Sequence, residues 1–213
     1  MATESSYSVT ADFSFVSKYV SRGKQLGRAS LHPSLEAATG PFRAGVWNNT
    51  PLRNEHDGNL TKEIDLYLGY TPKLADKLSA DFGATYYWFP RADRSLDYDS
   101  FEVFGGLNWA LGSTTPAVYV YRDVVLDVWT VQGSLGYSVP LKQAGTSLDF
   151  SFTLGCVSPD RGEQYDYFSV GVNLPVKLSD AVKLNFGLSY TENDLDGGED
   201  PGLWGTAGVT ARF

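Results

Sequence analysis

Apolar side chains recur at every second residue along most of the chain, a period that suits a sheet with two different faces and not a helix. Leu78, Ala80, Phe82, Ala84, Tyr86 and Trp88 alternate with Ser79, Asp81, Gly83, Thr85 and Tyr87. The same two-residue pattern runs through 7–15, 64–70, 148–154, 182–190 and 203–213. Weaker cases complete a set of twelve predicted strands at 6–20, 30–39, 41–49, 62–71, 77–89, 100–111, 116–123, 127–139, 147–157, 166–176, 181–191 and 202–213. Pro33 weakens the second of these because it cannot donate to a ladder. Around 116–131 both faces are partly apolar, so the phase there can slip by one residue.

The connections alternate as well. Every second one is short: "TGP", "TPKLADK", "LGSTTP", "PLKQAGTS" and "VKLSD". The others are mostly longer and charged: "SRGKQLGRAS", "NTPLRNEHDGNLT", "PRADRSLDYD", "SPDRGEQYD" and "TENDLDGGEDPG", with a short exception near Asp123. Tight turns at one end and larger loops at the other are expected of an outer-membrane barrel. An even strand number brings both termini to the short-turn side. The expected fold is therefore a single all-β domain over 1–213, a membrane-spanning, antiparallel up-and-down barrel of about twelve strands, with residues 1–5 as a disordered N-terminus.

Composition narrows the partners. A formal charge of -8 with no basic patch argues against nucleic acid. The single cysteine, Cys156, excludes an internal disulfide and a cysteine-rich metal site. No run of 18 or more apolar residues reads as a membrane helix, and "MATESSYSV" has neither the basic nor the apolar region of a signal peptide. The expectation is an exported outer-membrane protein read as its mature chain, with Met1 added.

Alternation does not say which face points outward; the residues do. Tyr7, Tyr19, Tyr70, Trp88, Trp109, Trp129, Tyr137, Tyr190 and Phe213 sit at the ends of the apolar faces, where aromatic girdles meet lipid headgroups. The opposite face is rich in Ser, Thr, Gly, Asn and charge, as a watered bore would be. The predicted pore lining is Asp12, Lys18, Glu36, Arg43, Glu63, Asp65, Asp81, Glu102, Arg122, Asp149, Lys183 and Arg212. Its seven acids outnumber its five bases, which predicts a mild cation preference. The competing expectation is a structural or binding barrel whose interior salt bridges and rings, among them Trp47, Tyr67, Tyr87, Phe104 and Trp204, plug the bore.

At "VSKYVSRG" (16–23), "EIDLYLGY" (63–70), "DFGATYYWFP" (81–90) and "FEVFGGLNW" (101–109) the chain resembles the TorF family of porin-type bacterial outer-membrane proteins. The resemblance implies an outer-membrane barrel and carries over no catalytic residue. The closing "GLWGTAGVTARF" is similar to the last strand of many such proteins. By that likeness, Phe213 is the signal read by the outer-membrane assembly machinery.

The function expected from these readings is passive diffusion of small hydrophilic solutes or ions through a monomeric barrel held by outer-membrane lipids, with no cofactor, no metal and no enzymatic activity. His32, Ser34 and Glu36 share one face of a strand and raise the alternative of a lipid hydrolase. Positions i and i+2 stand roughly 7 Å apart, too far for a direct Ser–His pair in ordinary rotamers. His56, between Glu55 and Asp57, reads as a solvated loop residue. Glu192, Asp194, Asp196, Glu199 and Asp200 could offer oxygens to calcium, but they lack EF-hand spacing.

Overall fold

The computed structural model describes residues 7–52, 62–90, 99–195 and 201–213. In chain order the strands are β1 (Tyr7–Val16), β2 (Tyr19–Ser21), β3 (Lys24–Gly27), β4 (Ser30–Thr39), β5 (Phe42–Pro51), β6 (Glu63–Tyr70), β7 (Lys73–Ala75) and β8 (Leu78–Trp88). They continue as β9 (Ser100–Trp109), β10 (Thr114–Asp123), β11 (Val128–Leu141), β12 (Thr146–Pro159), β13 (Tyr165–Lys177), β14 (Val182–Asn193) and β15 (Gly202–Arg212). Twelve of them, all but β2, β3 and β7, form one antiparallel cycle. β15 closes it on β1 in the register Asp12↔Thr210 and Phe13↔Val209. At the seam the Val9 N–H donates to the Phe213 carbonyl at 3.0 Å and the Phe213 N–H to that of Val9 at 2.8 Å. No sheet edge is left open along the barrel wall, the condition for spanning hydrocarbon with strands.

The apolar face points outward. Phe13, Leu68, Phe82, Leu154 and Leu203 are 49%, 61%, 51%, 53% and 59% exposed although each lies within a regular strand. Such a belt is untenable in water and natural in lipid. Tyr7, Tyr70, Trp109, Tyr137 and Phe213 ring this surface near the short turns, and Trp88, Trp129 and Tyr190 near the long loops. Two aromatic girdles result.

Inner-face glycines keep the wall thin. At Gly45, Gly69, Gly83, Gly106 and Gly155 an added Cβ would collide with a long side chain lying flat across the strand: Tyr67, Arg43, Phe104, Tyr119 and Tyr167, respectively. Gly83 is the least forgiving, because its methyl group would also come within 2.5 Å of the Leu68 carbonyl oxygen, which is backbone and cannot rotate away. Gly83→Ala should therefore cost about 1–3 kcal/mol, the usual range for overpacking. The urea midpoint of folding into lipid vesicles measures it, and an unchanged midpoint would contradict this packing.

The structure departs from the sequence reading in three places. The first strand ends at Val16 instead of continuing to residue 20, and the chain turns into the bore as the separate β2–β3 hairpin. Tyr19 is consequently a buried interior residue and not part of a girdle. Arg122 lies on the outer face with Val118 and Val120, because Tyr119 and Tyr121 take the inner positions of β10. There Arg122 covers the Trp129 ring and pairs with Asp127. Val124, Val125 and Leu126, within the stretch of ambiguous phase, form the tight β10–β11 turn with Asp127, and Asp123 accepts there from the N–H groups of Val125 and Leu126 at 3.0 and 2.8 Å.

Candidate functional site

The interior of the barrel holds the polar chemistry, and the hairpin divides it. Among the described residues β2 and β3 pair only with each other, through a two-residue turn in which Arg22 and Gly23 have φ of 46° and 82°. Both central residues at positive φ make the tight turn that suits a two-stranded ribbon. Gly23 is required for a second reason: a Cβ there would collide with Tyr167.

Side chains fasten the hairpin to the wall near the long-loop end. Arg22 donates to Glu102 from both terminal nitrogens at 2.7 Å, with the Glu102 side chain only 3% exposed. Its guanidinium also sits 4.7 Å from the Tyr121 ring centre. The two charge-assisted hydrogen bonds to Glu102 offset the burial of the Arg22 charge. Tyr19 donates to Glu63 at 2.7 Å, Asn193 donates to the Gly23 carbonyl at 2.9 Å, and Lys24 lies 4.3 Å from the Tyr165 ring. Lys18, at the foot of the hairpin, donates to the Pro201 carbonyl.

Farther toward the short turns, the charges lie against the wall. Arg43 passes over Gly69 and reaches Asp81 with two hydrogen bonds of 2.8 and 3.0 Å, and it donates to Thr71 at 2.6 Å. Tyr119 adds a 3.0 Å bond to the same carboxylate. Glu36 accepts from Tyr67 at 3.1 Å, Asp149 from Ser138 at 2.6 Å, and Asp12 from Thr210 at 2.6 Å. Asp65 follows Glu63 on the inner face of β6, and its buried Oδ1 has no hydrogen-bond partner among the described residues. Lys183 and Arg212 lie on inner positions near the short turns, in register with Thr210 and Thr10. All predicted pore residues except Arg122 therefore belong to the interior or, for Lys18, to the foot of the hairpin.

Between these groups and the β8–β12 wall lies a cavity of about 740 Å³, lined by Ser79, Asn108, Thr115, Gln132, Ser134 and Thr153 among others. It reaches the short β6–β8 turn at Lys73 and Lys77. Its inner-face residues are uncharged and of small or medium size, most of them hydrogen-bonding.

Among the described residues no hydrogen bond joins His32, Ser34 and Glu36. The His32 ring bonds to Asn49 at 3.1 Å and packs between Tyr19 and Trp47 at centroid distances of 5.2 and 4.7 Å. His56, residues 1–5 and the loop acids Asp196, Glu199 and Asp200 lie outside the described residues. Of the remaining loop acids, Glu192 accepts from Tyr190 and Asp194 from the Asp166 N–H.

Sequence reasoning missed Arg22, Lys24, Tyr121, Tyr165 and Tyr167. One signal was available. Val16 and Val20 place apolar groups in the inward phase at the end of the first strand, where a watered wall has no use for them.

An apolar belt outside, a polar interior and a closed cycle of twelve strands define a membrane-spanning β-barrel of the outer-membrane porin fold. The chain belongs to the Gcw_chp family, described as a bacterial protein of unknown function, which it matches over residues 1–199. Among solved structures it is similar to the KdgM porin, with a TM-score of 0.65 at 10% identity, covering 96% of this chain and 99% of that one. The NanC porin aligns with a TM-score of 0.60 at 11% identity, covering 95% and 98%. An outer membrane channel from Pseudomonas putida F1 gives 0.57 at 11% identity, covering 97% and 94%. No curated protein matches the sequence.

Proposed function

We propose that the chain is a porin-like channel of the bacterial outer membrane through which small hydrophilic solutes diffuse, and that it is not an enzyme. The observation that carries this reading is the 740 Å³ cavity inside a barrel whose outer surface is built for lipid. Long interior side chains lie along the wall over glycines instead of crossing the bore, which leaves that space to water. The fold shared with KdgM and NanC and the resemblance to TorF-family porins at 16–23, 63–70, 81–90 and 101–109 support the same conclusion. In this reading the barrel works as a monomer, its partners are lipid, solute and the assembly machinery, and Phe213 is the assembly signal.

A second reading, a binding or structural barrel with a plugged lumen, draws on the hairpin at the long-loop end. Single-channel recording in a planar bilayer separates the two. Discrete conductance steps are expected for the purified protein under an applied potential; their absence from the protein and from every variant that unblocks the bore would leave the plugged barrel.

A further inference from the structure

We propose that the β2–β3 hairpin is a cationic plug that gates the bore, leaving the wall as a unit and returning to it. The proposal rests on the channel reading above and adds a moving part to it. Three observations carry it.

The first is how the hairpin is held. Its two strands pair with each other, and among the described residues neither β2 nor β3 pairs with a barrel strand. It can therefore depart without breaking the cycle that satisfies the wall's backbone in lipid. What departure does break is side-chain seating: Arg22 with Glu102, Tyr19 with Glu63, and Asn193 with the Gly23 carbonyl. Such contacts can be exchanged for water once the bore is wet.

The second is charge. From Lys18 to Arg28 the chain carries Lys18, Arg22, Lys24 and Arg28 and no acid. The wall it meets presents Glu63, Asp65 and Glu102. Seated, the hairpin pairs Arg22 with Glu102 and covers Glu63 with Tyr19; unseated, it exposes these carboxylates to passing ions. The two states should differ in selectivity as well as in width, since acidic side chains in a pore favour cations. A cationic segment inside the bore also feels the membrane potential, so one polarity should drive it out.

The third is the hinge. Val16 pairs with Ser30 directly below the hairpin, so β1 and β4 continue as a regular ladder up to its base. Ser17 and Ala29 stay bonded to the wall through Gly205 and Leu52, so the hairpin can swing on residues 18 and 28 while the barrel beneath it stays intact.

The test compares four proteins in planar bilayers: the native chain, Glu102→Gln, Gly23→Ala, and a chain in which residues 18–28 are replaced by a short Gly-Ser turn joining Ser17 to Ala29. Heat-modifiable mobility on gels first confirms that each is a folded barrel. The excision should raise conductance roughly two- to threefold, increase cation preference and abolish voltage-dependent closure. Glu102→Gln, which removes the charge that holds Arg22, should raise the open fraction about tenfold. Gly23→Ala changes no charge and drives a methyl group into Tyr167, and it should shift the protein the same way. Equal conductance, selectivity and voltage response in the native chain and the excised one would overturn the gate and leave the channel standing. Silence from all four folded proteins would overturn the channel itself, and the gate with it.

Discussion

Val209→Arg should prevent both insertion in cells and refolding in vitro. Val209 lies mid-strand on the outer face of β15, between Phe13 of β1 and Leu184 of β14, at the seam that closes the barrel. A cation facing lipid near the midplane costs roughly 2–4 kcal/mol, and here it falls on the last pairing to form. Loss of heat-modifiable mobility in protein made in cells and in protein refolded into vesicles is the expected readout. Deleting Phe213 should behave differently. Its ring is 76% exposed at the strand end and forms no part of the interior, so refolding should be nearly unchanged while insertion in cells falls sharply. Normal insertion of the deletion would remove the signal role of Phe213, and full tolerance of Arg at 209 would show that this face does not meet lipid.

The second large effect is expected inside the barrel. Arg43→Met leaves the Asp81 carboxylate with only Thr71 and Tyr119 as donors, in a site where the side chains of Arg43 and Asp81 are just 24% and 11% exposed. Removing one partner of such a pair strands the other charge, and the loss should be about 2–3 kcal/mol, below the figure for complete burial because some water reaches both groups. Arg43→Met combined with Asp81→Asn should recover part of it. Urea titrations of the two single variants and the double variant give the coupling, expected at roughly 1–3 kcal/mol. Additive losses would show that the pair is incidental to stability.

The strands were legible because lipid outside and water inside impose opposite chemistry on alternate residues. Leu78–Trp88 illustrates this: every outward position is apolar, and the inner ones are polar or glycine. Short turns were legible from length alone. The β10–β11 region was not, since tyrosine suits either environment and Val124, Val125 and Leu126 are an apolar turn that mimics strand. Arg122 was misplaced for that reason. The hairpin was hidden by a different cause. Its position depends on contacts with residues 44 to 170 positions away, such as Glu63, Glu102 and Asn193, and no local pattern encodes them. The predicted carboxylates lie at inner positions of their strands, and their partners were not readable.

The seam between β1 and β15 fixes the order of assembly. Every other barrel interface joins strands that follow one another around the wall and can form as a local hairpin, with a modest loop entropy to overcome. The seam brings together Asp12 and Thr210, 198 positions apart. Until it forms, both edge strands present rows of unpaired N–H and carbonyl groups, ready to pair with any other extended chain. A nearly complete, unclosed sheet is therefore the species most exposed to misassembly, and closure, the one step that requires the whole chain, is where folding of this barrel is decided.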